Sequence, residues 1–311
     1  MITRRELIGG LAGAAAAMAA TTGEHRLTIC AFSKHYQWAT VSETAETVAR
    51  LGFDGLDLTV RKGGHVEPAR VADDLPKAVE IIRKAGLQIP MVTGDIVDTQ
   101  SPYAENVLKT LASLGIHRYR WGGMKYTDSQ SIPEQLAEMK VRVKDLAAMN
   151  KHYGVCAMYH THSGVGQVGA SMWDLYLLIK DFDRDAVSAN YDIGHATVEG
   201  GFGGWVHSTR LLLPYMKGVA VKDFLWRQNA KGKWAPAWCG LGKGMVDFQQ
   251  FFQMIKAGGF SGPLQLHMEY PELGGANEGH KEFTIPKDRL IAIMKRDLDL
   301  LRGMLRDASY S

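Results

Sequence analysis

Ionisable side chains recur in this chain where a strand pattern gives way to a turn. The clearest case is Ser188 to Gly201, which reads as a strand that breaks open into a loop at Gly194 and leaves Asp192 and His195 together at its end. A carboxylate and an imidazole delivered to one point can hold a cation, bind a polar ligand or pass a proton. A turn in which Asp192 only hydrogen-bonds the local backbone is the alternative. Strand parity brings further groups to the same neighbourhood, because residues two apart share a face. It pairs His160 with His162, Asn190 with Asp192, Ser33 with His35, Asp57 with Thr59, Arg118 with Arg120 and Lys222 with Ala220. Gln265, His267 and Glu269 likewise share a face, and the intervening Leu264, Leu266 and Met268 are apolar, as an outward face packed on helices requires. Polar side chains in such a row are costly to bury unpaired, and a wet or metal-filled cavity accounts for them.

The elements that would carry these groups repeat as a unit. A helical pattern ends at a glycine, a short apolar strand follows, and polar residues close it. Leu51-Gly52-Phe53 leads into Gly55 to Thr59, Ala85-Gly86-Leu87 into Ile89 to Thr93, and Leu114-Gly115-Ile116 into His117 to Trp121. Tyr153-Gly154 leads into Val155 to His160, and Gly258-Gly259-Phe260 into Pro263 to Glu269. Leu27 to Ser33, Ala186 to Asp192 and Lys217 to Asp223 bring the strands to eight. Amphipathic stretches at Val41 to Leu51, Asp73 to Ala85, Pro133 to Asn150, Met172 to Phe182, Phe248 to Ala257 and Pro286 to Met304 lie between them. Eight strands alternating with helices over about 285 residues predict an α/β fold, a single-domain (β/α)8 TIM barrel. A doubly wound open sheet is the competitor, but no glycine fingerprint follows the first strand.

A composition of 46% hydrophobic and 22% charged residues in 311 suits one globular domain with a large core. The net charge of +3 contains no basic block, which gives no nucleic-acid or anionic-membrane footprint. Cys30, Cys156 and Cys239 are widely spaced and read as small hydrophobes, not as a disulfide framework or a thiolate zinc site. Residues 1–22 stand apart. Thr3-Arg4-Arg5-Glu6-Leu7-Ile8 precedes a Gly/Ala/Leu/Met run to Ala20, and Ala17-Met18-Ala19 has the small residues of a cleavage site. This resembles a twin-arginine export signal, with an ordinary N-terminal helix as the alternative. It sets residues 1–22 apart from a barrel over 23–311 and implies a periplasmic protein with no stable membrane anchor after processing.

The succession of His160-Thr161-His162, Asp192-Ile193-Gly194-His195, Val221-Lys222-Asp223, Gly240 to Phe248 and Gly262 to Tyr270 resembles the xylose isomerase-like TIM barrels, the sugar phosphate isomerase/epimerase-like proteins. The likeness covers the whole chain after the signal and says little about substrate. It implies a divalent metal held by a Glu, an Asp, a His and a Glu at the ends of the fifth to eighth strands, with two of the Glu moving the substrate proton. Here Asp192 matches the Asp, and His195 the histidine that accompanies it. The other ligand positions fall on His160, Ala220 and His267, with Glu269 two residues beyond.

A remodelled site is therefore expected, with Asp192, His160, His267 and Glu269 as ligands suited to Mn or Zn, or else with no metal and histidines as acid and base. Glu269, His160 and Lys222 are the catalytic candidates, and His35, Asp57, His162, His195 and Trp121 the substrate-binding ones. Lys222 either meets a substrate oxygen or pairs with Asp223 or Glu269. Trp226, Trp234 and Trp238 belong to a long loop from Phe224 to Cys239, and Gly240-Leu241-Gly242-Lys243-Gly244 weakly resembles a phosphate cradle that Asp247, as a helix N-cap, explains without an anion. The expected partner is a small-molecule carbohydrate, and an oligomer is compatible with this reading. The expected activity is isomerisation or epimerisation of a sugar or keto-sugar by proton abstraction next to a carbonyl. A keto-sugar lyase or hydratase and a non-catalytic carbohydrate-binding barrel are the alternatives.

The export reading has a direct test. Replacing Arg4→Lys together with Arg5→Lys should strand unprocessed precursor in the cytoplasm, as fractionation would show, and unchanged export would contradict the twin-arginine assignment.

Overall fold

A computed structural model describes residues 26–310; the signal segment assigned to 1–22 lies outside them. The expected barrel is present. Parallel strands β1 (Ile29–Phe32), β2 (Gly55–Thr59), β3 (Val92–Thr93), β4 (Arg118–Trp121), β5 (Cys156–His160), β6 (Val187–Asp192), β7 (Met216–Val221) and β10 (Leu264–Leu266) close in the order β1-β10-β7-β6-β5-β4-β3-β2. Register sets the rim: His160 pairs with Asn190 and Asp192 with Ala220. β10 is shorter than the expected run to Glu269, but the His267 N–H still donates to Val221 O at 2.9 Å, so the inward parity of Gln265 and His267 survives past the ladder's end.

Helices α1 (Val41–Leu51), α2 (Val71–Lys84), α3 (Ala104–Ser113), α4 (Ile132–Tyr153), α5 (Trp173–Ile179), α6 (Ile193–Gly200), α7 (Gly204–Leu212), α8 (Phe248–Ala257) and α9 (Lys287–Asp307) surround the barrel. Thr40 and Glu43 form a capping box that starts α1, and Gly52 ends it at φ 91°, the left-handed residue its sequence position called for. The apolar faces of these helices pack on outward strand residues such as Leu56 and Leu58 in one continuous core, while Met91, Cys156 and Met158 form a separate cluster inside the barrel. Among the described residues no helix is long and apolar enough to cross a membrane.

Two helices were not anticipated, α6 and α7, and α3 was marked only by the glycine turn that ends it. The start of α3 is hidden because its N-cap, Tyr103, is a left-handed residue at φ 63° that makes no side-chain cap. α6 replaces the loop expected after Gly194. It begins directly on Asp192, whose Oδ1 accepts from the His195 N–H at 2.9 Å. The backbone role expected for Asp192 is present, as one oxygen caps a helix, and it leaves the other oxygen facing the barrel interior.

The loop expected from Phe224 to Cys239 is an antiparallel hairpin, β8 (Asp223–Gln228) and β9 (Trp234–Cys239). Its turn is held by Asn229, whose side-chain oxygen accepts from the Lys231 and Lys233 N–H groups. The glycine run that follows is not a phosphate cradle. Its amides wrap the Asp223 carboxylate instead, with Gly242, Gly244 and Val246 donating at 3.1, 2.8 and 3.2 Å and Phe224 at 2.9 Å. Asp247 caps α8 by accepting from the Gln250 N–H, as its position suggested.

Asp223 thus fastens the hairpin and the following loop to the barrel. Asp223→Ala would leave several amides without an acceptor, and the expected loss is about 3 kcal/mol or more, read as a lower urea midpoint at unchanged m. An unchanged midpoint would show that the loop is held by other contacts.

Candidate active site

The carboxyl ends of β5, β6 and β10 bring three donors to one point inside the barrel mouth. Asp192 Oδ2 lies 3.6 Å from His160 Nε2 and 3.9 Å from His267 Nδ1, and one donor atom from each residue falls within 4.8 Å of the others. Asp192 Oδ2, both ring nitrogens of His267, Asn190 Oδ1 and Gln265 Oε1 are all buried without a hydrogen-bond partner. Unpartnered buried polar atoms are rare in folded proteins, and their convergence here marks a place built for something else to fill. Burial drives the His160 and His267 imidazoles well below their ordinary titration range, helped by Arg120 and Lys222, so both are neutral with lone pairs to offer. The His267 ring stacks on Phe32 with centroids 4.5 Å apart, which fixes its plane. Burial also raises the Asp192 carboxyl, against the opposing pull of Lys222 and the His195 amide.

Beside this cluster Lys222 is the hub of a paired network. Its ammonium lies 2.7 Å from Glu269 Oε2, 3.3 Å from Asp192 Oδ2 and 2.7 Å from His195 Nε2, over the face of Trp238 at 4.2 Å. Of the two structural partners expected for Lys222, Glu269 is the real one, since Asp223 is turned into its loop. The approach depends on Gly194: a side chain there would meet Lys222 Cγ at 2.8 Å and Lys222 O at 2.9 Å. The other Glu269 oxygen takes Lys34 Nζ at 3.0 Å, tying the end of β1 to the segment after β10. Burial alone would raise the Glu269 carboxyl, but the charges of Lys222, His267 and Lys34 outweigh it and hold it well below the usual carboxylate range. Glu269 is therefore an anion between two lysines. It is not one of the three converging donors, contrary to the four-ligand set expected from the sequence.

The remaining candidates divide. His162 stands at the open rim, donating through Nδ1 to Ser163 O at 2.9 Å and stacking on His195 with centroids 3.9 Å apart. His195 is spent on Lys222 and on Ser163 Oγ, which lies 2.7 Å from its Nδ1, so it props the lysine and has no nitrogen left for a ligand. His35 is not at the surface of the cavity. It is fully buried, its Nε2 accepts from the Met268 N–H at 3.0 Å, its Nδ1 faces Ala276 O at 3.4 Å, and burial lowers its pKa to about 4. It pins the segment after β10, and both of its ring nitrogens face backbone groups. Asp57 is also fully buried and bound by Thr93 Oγ1 at 2.9 Å. Trp121 packs edge-on against Tyr159 and donates to Val97 O, and although it borders the cavity it is 1% exposed. Sequence reasoning missed Arg61 and the role of Phe32. Arg61 lies two residues beyond Thr59, so the parity that grouped Asp57 with Thr59 extends to it.

The family model for xylose isomerase-like TIM barrels matches residues 45–287. A search of curated proteins finds no match to the sequence. Among solved structures, a xylose isomerase-like TIM barrel protein from Mycobacterium smegmatis in complex with magnesium is 18% identical, with a TM-score of 0.62 over 91% of this chain and 99% of that one. D-psicose 3-epimerase from Clostridium cellulolyticum H10, with D-tagatose, is 15% identical at a TM-score of 0.66 over 90% of this chain and 99% of that one. The 3-keto-D-glucoside 4-epimerase of E. coli is 15% identical at 0.64 over 89% and 100%. At such identities the likeness is one of fold, and it agrees with the closed barrel and with the match of the family model over most of the sequence. The chain belongs to the xylose isomerase-like TIM barrel family.

Proposed function

We propose that this protein is a sugar isomerase or epimerase that removes a proton next to a carbonyl, assisted by a divalent metal at His160, Asp192 and His267. The observation that carries the proposal is the set of unpartnered atoms under the barrel mouth: Asp192 Oδ2 and both His267 nitrogens have no hydrogen-bond partner, yet they are sealed from water. Two neutral imidazoles and one carboxylate form a donor set suited to Mn or Zn. In the structure the Asn190 side-chain nitrogen lies 3.4 Å from His160 Nδ1, the arrangement of a donor to that nitrogen; turning the amide so that its oxygen accepts from Nδ1–H would leave the Nε2 lone pair toward Asp192, as a ligand requires. A metal bound there would supply Lewis acidity to a substrate carbonyl. The epimerases among the structural neighbours agree with this class of chemistry.

The chain's own residues divide the remaining work. Lys222 presents an ammonium in contact with Asp192, and a substrate oxygen that draws it away from Glu269 would be stabilised as negative charge develops. The same exchange would free Glu269 from one of its two lysines and raise its basicity at the moment a base is needed. Trp238, with its face on Lys222 and its ring against His195, limits water at that point.

Two substitutions test the assignment. Asp192→Asn keeps the Oδ1 acceptor that caps α6 and removes the inward charge. It should abolish metal uptake, read by elemental analysis, and exchange of the substrate α-proton in deuterated water, while the thermal midpoint stays near wild type. Loss of fold and activity in parallel would instead make Asp192 structural. Glu269→Gln should lower turnover by about two orders of magnitude or more with a smaller change in KM; an active Glu269→Gln enzyme would move the base to a histidine.

A further inference from the structure

Two arginines at the mouth are not accounted for by this chemistry. Arg120 belongs to β4, Arg61 follows β2, and the guanidinium carbon of each lies 5.9 Å from the centre of the Phe32 ring, the same ring that stacks on His267. The neighbouring carboxylates are engaged elsewhere. Glu269 pairs with Lys34 and Lys222, Asp192 faces Lys222, and Asp57 accepts from Thr93. Asp95, exposed at the edge, accepts from the Lys62 N–H. Among the described residues neither arginine side chain makes a hydrogen bond or an ion pair. Glu269, Asp57 and Asp192 act on Arg120 through space, Asp57 also on Arg61, but none bonds to either guanidinium, and Glu269 and Asp192 already answer Lys222.

A guanidinium does not lose its proton, and its fork of N–H donors matches a carboxylate or phosphate. Left half-buried and unpaired it is costly, and an anionic ligand removes that cost through paired, charge-assisted hydrogen bonds. Arg61 and Arg120 line a cavity of about 360 Å³ with His160, His162, Trp121 and Gln167, a size that takes a single sugar unit. We infer that the substrate is an anionic sugar, whose carboxylate or phosphate is held between Arg61 and Arg120 while its carbonyl end points to the His160 side of the cavity, where the donor cluster begins. The inference rests on the proposed sugar chemistry and adds to it the charge of the substrate. Phe32 then touches both halves of the site, stacking on His267 and lying 5.9 Å from the guanidinium carbon of each arginine.

Calorimetric titration of the purified full-length protein with D-glucuronate, D-gluconate, D-glucose 6-phosphate, inorganic phosphate and D-glucose tests this. The charged sugars should bind at least tenfold more tightly than D-glucose. Arg120→Gln and Arg61→Gln should each remove most of that difference and leave D-glucose affinity unchanged; Arg61, outside the strand ladder, serves if Arg120→Gln fails to fold. A preference for glucuronate or gluconate over glucose 6-phosphate assigns the anion as carboxylate, and the reverse assigns it as phosphate. D-glucose binding as tightly as the charged sugars, variants that keep the full preference, inorganic phosphate matching the sugars, or no binding by any probe would each overturn the inference. α-Proton exchange on neutral ketoses without any anion preference would sink this inference alone. Anion-selective binding with no exchange on any sugar would sink the isomerase proposal and leave the arginine site standing.

Discussion

A carboxylate sealed from water must be met by positive charge or by hydrogen bonds, and the mouth of this barrel is arranged around that demand at Asp192. The side chain is fully buried. One oxygen is answered by the first turn of α6; the other has only Lys222 at 3.3 Å, with no hydrogen bond. At that separation and an effective dielectric of about 20, the attraction is about 5 kcal/mol. Desolvating two ions costs several kcal/mol each. The lysine therefore does no more than break even, particularly as it also serves Glu269 and His195. A doubly charged cation, with His160 and His267 supplying lone pairs from the other sides, would tip that balance.

The mouth has two electrostatic characters. On the side of β7 and the hairpin every group is paired: Lys222 with Glu269, Glu269 with Lys34, His195 with Ser163 and Lys222. At the ends of β2 and β4, Arg61 and Arg120 have no partner among the described residues, and deeper in the barrel Asn190 of β6 and Gln265 and His267 at β10 carry buried atoms without a hydrogen-bond partner. Such a division suits a ligand that enters on the unpaired side and reaches across to disturb the paired one. In the proposed reaction the paired side would supply the charges that move, and the unpaired side the binding.

Much of this was legible in the sequence because it depends on local rules. Strand parity placed Asn190 with Asp192 and Gln265 with His267 on the inner face, and helix-ending glycines marked the repeat that became a closed barrel. What was not legible depends on long-range closure. His35 looked like a rim residue, but it is consumed by Met268 and Ala276 across the β1–β10 seam, a contact that nothing near residue 35 announces. Asp57 has the inward face but is held by Thr93, and Trp121 has the parity opposite to Arg120, so it packs against Tyr159. The glycine run after Cys239 looked faintly like an anion cradle and proved to be one, for the chain's own Asp223. α6 could have been found from Asp192 as an N-cap; Gly194 drew attention to a loop instead.

Diffraction from crystals soaked in Mn²⁺, with anomalous differences measured near the manganese edge, tests the account most directly. A single strong peak about 2.0–2.3 Å from His160 Nε2, Asp192 Oδ2 and His267, a range typical of imidazole and carboxylate ligands, is the predicted result. An empty map at that point, with Lys222 still against Asp192 and manganese either absent or elsewhere on the protein, would contradict it.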